Sequence, residues 1–134
     1  MDTAFENYLH GKRREKEILL MTHIVIGYPS WEASRETIRA MVESGVDLME
    51  LQIPFSEPMA DGPVILAANQ KALEQGVTVR QCLEFAQEMS RSYDIPFLIM
   101  TYYNILFKYG VEPFALTLKK GGLKGAIVPD LPPE

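Results

Sequence analysis

Residues 47–62 read DLMELQIPFSEPMADG, and the way this stretch divides decides the fold. Its first half, ended by Pro54, has the apolar density of a strand buried in a parallel sheet. Side chains alternate along a strand, so Met49, Leu51 and Ile53 share one face while Leu48, Glu50 and Gln52 share the other. In a parallel sheet both faces are covered, and Glu50 cannot then simply point into water. It must be paired, hydrogen-bonded or held partly protonated, which makes it a candidate general acid/base. The second half is a loop punctuated by Pro54 and Pro58, and a second carboxylate, Asp61, closes it.

Outward from this strand, apolar runs bounded by Gly and Pro alternate with helical patterns. Residues 18–27 read as a first strand, 48–53 as the second, 95–101 as the third and 126–128 as the fourth. Ser30 caps a helix over 31–44 that Gly45 stops, and Asp61-Gly62-Pro63 opens one reaching about Gln75. Thr78 caps a helix over 79–92, another spans 112–120, and a short one at 3–9 precedes the first strand. Gly45-Val46-Asp47 before the second strand is echoed by Gly122-Leu123-Lys124 before the fourth. The alternation predicts an α/β fold of parallel strands joined by right-handed crossovers. Four such units are about half of an eight-stranded (β/α) TIM barrel, which spans roughly 250 residues. The expectation is a half barrel with an added N-terminal helix, one domain over 1–134. Its inner face and two strand edges would lie open, inviting self-association, a missing half or a rearrangement.

Bulk composition narrows the function classes. The 134 residues are 47% hydrophobic with a net charge of -5, and the basic run at Lys12-Arg13-Arg14 is diluted by Glu15 and Glu17, so nucleic acid is not an expected partner. No 18-residue apolar run suggests a membrane span, and no secretory leader pattern opens the chain. A single cysteine, Cys82, excludes an internal disulfide and fits a reducing, cytoplasmic compartment.

Active sites in parallel α/β folds lie at the carboxyl ends of strands. Four loops qualify: 27–29, 54–62, 102–110 and 129–134. Glu50 reads either as a structural carboxylate bonded to a Tyr or Thr, or as an acid/base below the long second loop. Asp61 reads either as the cap of the following helix or as a second functional carboxylate. Tyr102 either bounds a ligand or completes the core. His23, in mid-strand, reads as a core histidine, and with His10 remote no metal cluster is expected. Cys82 lies on a helical stripe and reads as core. No P-loop, dinucleotide fingerprint or nucleophile elbow is present. What remains is a pair of carboxylates suited to moving protons during bond cleavage or isomerisation.

Residues 50–63, ELQIPFSEPMADGP, closely resemble the signature ELGIPFSDPLADGP of the tryptophan synthase alpha subunit family. Ala67, Asn69 and Ala72, Gly76-Val77-Thr78, 100–104, Tyr109-Gly110-Val111 and 128–132 resemble further family landmarks in the same order. The resemblance implies a TIM-barrel lyase of tryptophan biosynthesis that reversibly cleaves indole-3-glycerol phosphate to indole and glyceraldehyde 3-phosphate. By motif, it assigns Glu50 to proton shuttling between the indole C3 and the glycerol hydroxyl, and Asp61 to the indole N–H. It places Tyr102 in the substrate pocket, and Glu57, Pro58, Asn104 and Phe107 against a beta subunit. That subunit would carry pyridoxal phosphate (PLP) in an alpha2beta2 assembly; no cofactor or metal is implied for this chain. Gln52 departs from the family's glycine, Tyr28 from an Asp, Glu57 from an Asp and Leu66 from a Gln. Later strands of the family supply its phosphate site, so the 134 residues alone are expected to be inactive. The alternative is a non-catalytic half barrel that self-associates or docks on a beta-like subunit.

Overall fold

The computed structural model describes residues 3–133. In chain order the elements are α1 (Thr3–Glu15), β1 (Met21–Val25), α2 (Trp31–Glu43), β2 (Leu48–Gln52), α3 (Pro63–Glu74), α4 (Val79–Ser92), β3 (Phe97–Met100), α5 (Tyr103–Tyr109), α6 (Val111–Lys120) and β4 (Ala126–Ile127). The four strands pair in sequential order, all parallel. His23, Glu50 and Leu98 lie in one register row, and Val25, Gln52, Met100 and Ile127 in the row two residues further along.

The two sheet faces differ sharply. Ile24, Ile26, Met49, Leu51, Ile53, Phe97 and Ile99 form one cluster with Ile38, Cys82, Phe85, Met89, Phe114 and Leu118 from the helices. At about 1.5–3 kcal/mol per fully buried aliphatic or aromatic side chain, this helix-covered face is the main source of stability. Glu50 and Gln52 lie on the opposite face by the alternation of β2.

Helix ends repeat one device. After α2, α3 and α6 come Gly45, Gly76 and Gly122, at φ of 94°, 82° and 76°. The residues after them, Val46, Val77 and Leu123, donate to Met41, Ala72 and Leu118 carbonyls at 3.3, 3.2 and 3.0 Å and are buried. This is the Schellman stop, with its apolar residue tucked beneath the helix end. The echo between Gly45-Val46 and Gly122-Leu123 thus has a geometric cause.

Beyond shifts of one or two residues at other element ends, three features depart from the sequence reading. α1 runs past Leu9 to Glu15, its last turn carrying Lys12, Arg13 and Arg14 at the negative end of the helix dipole. β1 begins at Met21, not Ile18, and both Ile18 and Leu20 are exposed. The loop expected over 102–110 contains α5, whose Tyr103 N–H donates to Asp130 Oδ1 at 2.7 Å. That cap comes from the loop after β4, so no local pattern announces it.

α1 buries no side chain and is fastened through Asp47. Tyr8 Oη donates to the Asp47 carbonyl at 2.6 Å, while Lys16 Nζ and the Leu20 N–H donate to its carboxylate at 2.6 and 2.8 Å. The Lys16 hydrogen bond, then that of Leu20, holds the Asp47 carboxyl below its ordinary value of 3.8. A depressed pKa stabilises the fold above the unfolded value and loses that contribution as pH falls through the folded one. Asp47→Asn is therefore expected to lower stability by roughly 1–3 kcal/mol near pH 7. The deficit relative to the parent should close as pH falls below about 4, read from denaturation midpoints across pH.

Candidate active site

Glu50 sits at the centre of β2, half-buried, with His23 and Leu98 as its register neighbours. Its face is not wholly covered, contrary to the expectation for a closed parallel sheet, yet water is scarce enough there to matter. Desolvation raises its carboxyl above the ordinary 4.5; Asp61 adds to the rise and His23 opposes it. Among the described residues none donates a hydrogen bond to it, so the structural reading as a carboxylate satisfied by Tyr or Thr does not hold.

Asp61 is brought toward the same side by its neighbours. Gln52, which shares Glu50's face, donates from Nε2 to Asp61 Oδ2 at 2.9 Å, and Tyr102 Oη donates to that oxygen at 3.0 Å. The alternative reading of Asp61 as a helix cap fails: the N-cap of α3 is Gly62, with no side-chain cap bond and Pro63 at the first position. Pro63 has no N–H to offer and its fixed φ opens the helix unaided. The Asp61 carboxylate is thereby released for other partners.

Tyr102 is fully buried at the end of β3 and serves both ends of the 54–62 loop. Its ring stacks on Phe55 at 5.3 Å and 18°, and its hydroxyl accepts from the Ala60 N–H at 3.1 Å. Desolvation, then the bond to Asp61, pushes the phenol up to about 12. Asn69 on α3 pins the loop's start, accepting from the Phe55 N–H at 2.8 Å. Between these anchors Met59 is 83% exposed.

The remaining candidates separate. Glu57 and Asn104 are exposed, Phe107 is 68% exposed on α5, and Pro58 is buried. The first three can meet a partner; Pro58 shapes the loop. His23 is not a core residue, since it shares the face of Glu50 and Gln52 and pairs through Nε2 with Gln52 Oε1 at 2.7 Å. Burial pushes the Cys82 thiol up to about 12, consistent with a packing role. The sequence marks Gln52 only as a departure from the family's glycine and Asn69 only as a landmark. A second polar residue beside Glu50, in a strand otherwise made of Leu48, Met49 and Leu51, was the available signal for Gln52.

A family profile described as the tryptophan synthase alpha chain matches residues 9–134. The chain belongs to that family. It is 68% identical over 129 residues to the tryptophan synthase alpha chain of Syntrophotalea carbinolica, covering 96% of this chain and 51% of that one. The alpha chain of Desulforapulum autotrophicum is 66% identical over the same shares of both chains. Among solved structures, a tryptophan synthase from M. tuberculosis superposes with a TM-score of 0.90 at 36% identity, over 96% of this chain and 51% of that one. The alpha subunit from Legionella pneumophila gives 0.89 at 32% identity, over 96% and 50%. The chain spans about half the length of the curated relatives it matches. Its four parallel strands and helices accordingly correspond to about half of the alpha-chain TIM barrel. Gln52, which stands where the family has a glycine, is 0% exposed and occupied by its hydrogen bonds.

Measurements on Glu50 and Tyr102 check this geometry. A carboxyl raised by desolvation costs stability as pH rises through the window from its unfolded value to its folded one. Glu50→Gln is therefore expected to stabilise the protein at neutral pH, and the gain should vanish below about pH 4. In a ¹³C titration Glu50 should titrate above 4.5, lower in Asp61→Asn and higher in a His23→Leu variant. Tyr102→Phe keeps the stack on Phe55 but strands the Ala60 N–H. It should cost roughly 1–3 kcal/mol and speed hydrogen exchange at Ala60.

Proposed function

We propose that this chain contributes the acid/base half of an indole-3-glycerol-phosphate lyase site, acting in tryptophan biosynthesis in the cytoplasm. The observation that carries the reading is the shared location of Glu50 and Asp61, one desolvated and free of donors, the other held by Gln52 and Tyr102. Family membership supplies the substrate.

The chemistry needs two proton transfers. Glu50 in its acid form protonates the indole C3, making the ring an iminium-like cation whose N–H is drawn to Asp61. A carboxylate then removes the proton from the hydroxyl borne by the glycerol carbon that is bonded to C3. The O–H electrons form the aldehyde C=O, and the C–C bonding pair returns to the ring. Indole and glyceraldehyde 3-phosphate result, with no net redox change. Glu50, whose raised proton affinity suits both the acid and the base role, takes both parts in turn. Negative charge at Asp61 counts most when the ring is cationic, which is electrostatic stabilisation of the transition state. Tyr102 borders the ring, and its hydroxyl holds Asp61 in place.

Glu57, Asn104 and Phe107 are proposed to meet a beta subunit that carries PLP, with Pro58 shaping that loop from beneath, in an alpha2beta2 assembly. A second reading rests on the β4 side. There a cavity of about 820 Å³ is lined by Leu106, Phe114, Leu118, Leu123, Ala126 and Leu131. On this reading the 134 residues alone are a non-catalytic half barrel that binds a second copy or a beta-like subunit. Sedimentation together with a lyase assay, with and without beta subunit, separates the two.

In an alpha chain of the relatives' full length carrying these residues, Glu50→Gln should lower kcat by at least about 10²–10⁴-fold. Asp61→Asn should lower it by about 10²–10³-fold. Undiminished turnover in Glu50→Gln rejects Glu50 as the proton carrier.

A further inference from the structure

We propose that Gln52 is a positioning residue that fixes the donor and acceptor sense of His23 and Asp61 together. The inference starts from two backbone amides, which can only donate. The Phe55 N–H donates to Asn69 Oδ1 at 2.8 Å, and Asn69 Nδ2 donates to the Ile65 carbonyl at 2.8 Å, so the orientation of the Asn69 amide is settled. Gln52 approaches that same Asn69 oxygen at 3.4 Å and Asp61 Oδ2 at 2.9 Å. Both are acceptors, so the NH2 of Gln52 must face them and Oε1 must face His23, at 2.7 Å. An amide oxygen cannot donate. His23 Nε2 therefore carries the proton, and the neutral ring keeps its lone pair on Nδ1.

The second amide works from the other side. The Ala60 N–H donates to Tyr102 Oη at 3.1 Å, which leaves the hydroxyl hydrogen for Asp61 Oδ2 at 3.0 Å. Two donors thus end on one carboxylate oxygen. Oδ2 can only accept, and Oδ1 is left for a ligand N–H. Gln52 is the link through which the polarity of the Phe55 amide reaches both His23 and Asp61. For Asp61 the proposal rests on the reading of that residue as acceptor for a substrate N–H; for His23 it rests on the hydrogen bonds alone.

The experiment uses an alpha chain of the relatives' full length carrying these residues, and Gln52→Met, which keeps the length and apolar volume of the side chain but none of its polar atoms. The tautomer of His23 is read by ¹⁵N NMR of the ring at about pH 9, assigned against a His10 variant. The proton is expected on Nε2 in the parent and spread over both nitrogens in Gln52→Met. The variant's kcat/KM for indole-3-glycerol phosphate should fall roughly ten- to hundred-fold, with its circular dichroism unchanged. A proton on Nδ1 in the parent overturns the proposal even if the variant does not fold. An unchanged tautomer in the variant, or undiminished kcat/KM there alongside an impaired Asp61→Asn, also overturns it. Full turnover in Asp61→Asn defeats instead the substrate role of Asp61, and the tautomer then judges Gln52 by itself.

Discussion

β2 and the residue after it bury Met49, Leu51 and Ile53 against the helices, and the two-residue period of a strand then commits Glu50 and Gln52 to the opposite face. A slip of one residue would turn every one of these side chains over, putting Glu50 among Ile38, Phe85 and Phe97. Three apolar side chains at about 1.5–3 kcal/mol each outweigh the cost of holding one half-buried carboxylate opposite them. The placement of Glu50 is therefore enforced by its apolar neighbours. Nothing that touches the carboxylate itself needs to stabilise it, and among the described residues nothing donates to it.

The same strand sets where the loop above it goes. Its last residue, Gln52, reaches into the loop, and Asn69 and Tyr102 take hold of that loop at Phe55 and Ala60. These anchors come from three different units, so the position of Asp61 depends on the packing of β2, α3 and the end of β3 on one another. Between the anchors the chain is free to present Glu57 and Met59 to solvent. A segment tied at its ends and open in its middle keeps a fixed carboxylate beside a surface that can meet another molecule.

Legibility from the sequence followed the range of the interactions. The four strands, α2 and α4 are marked by local signals: apolar runs, the Ser30 and Thr78 caps and the glycine stops. That Asp61 comes near enough to Glu50 to raise its carboxyl could be read because alternation and loop length are also local. The start of α5 could not, because its N–H partner is Asp130, on the far side of β4. Asp61 looked like a cap because Asp before Gly-Pro often is one; Gly62 takes that position, and Gln52 and Tyr102 claim the side chain. His23 looked like core because it is flanked by Thr22 and Ile24, and only its register against Glu50 reveals which face it occupies.

On the proposed lyase reading, the contrast between the two carboxylates is a division of labour. Moving a proton to carbon and then away from oxygen requires a group whose two protonation states lie close in energy and whose oxygens are unencumbered. Glu50 is moved toward both, since desolvation raises its proton affinity, Asp61 adds to the rise, and no described donor competes for its lone pairs. Stabilising a cationic ring requires the opposite: a carboxylate whose direction is set before the charge appears, so that no reorganisation is needed as it forms. Asp61 has one oxygen tied by two donors whose sense is dictated by backbone amides, and its other oxygen is aimed by that constraint. Exchanging the two environments would leave a proton carrier that cannot release its donors and a counter-charge free to rotate away. On the proposed lyase reading, strand and loop thus present them in the order that chemistry requires.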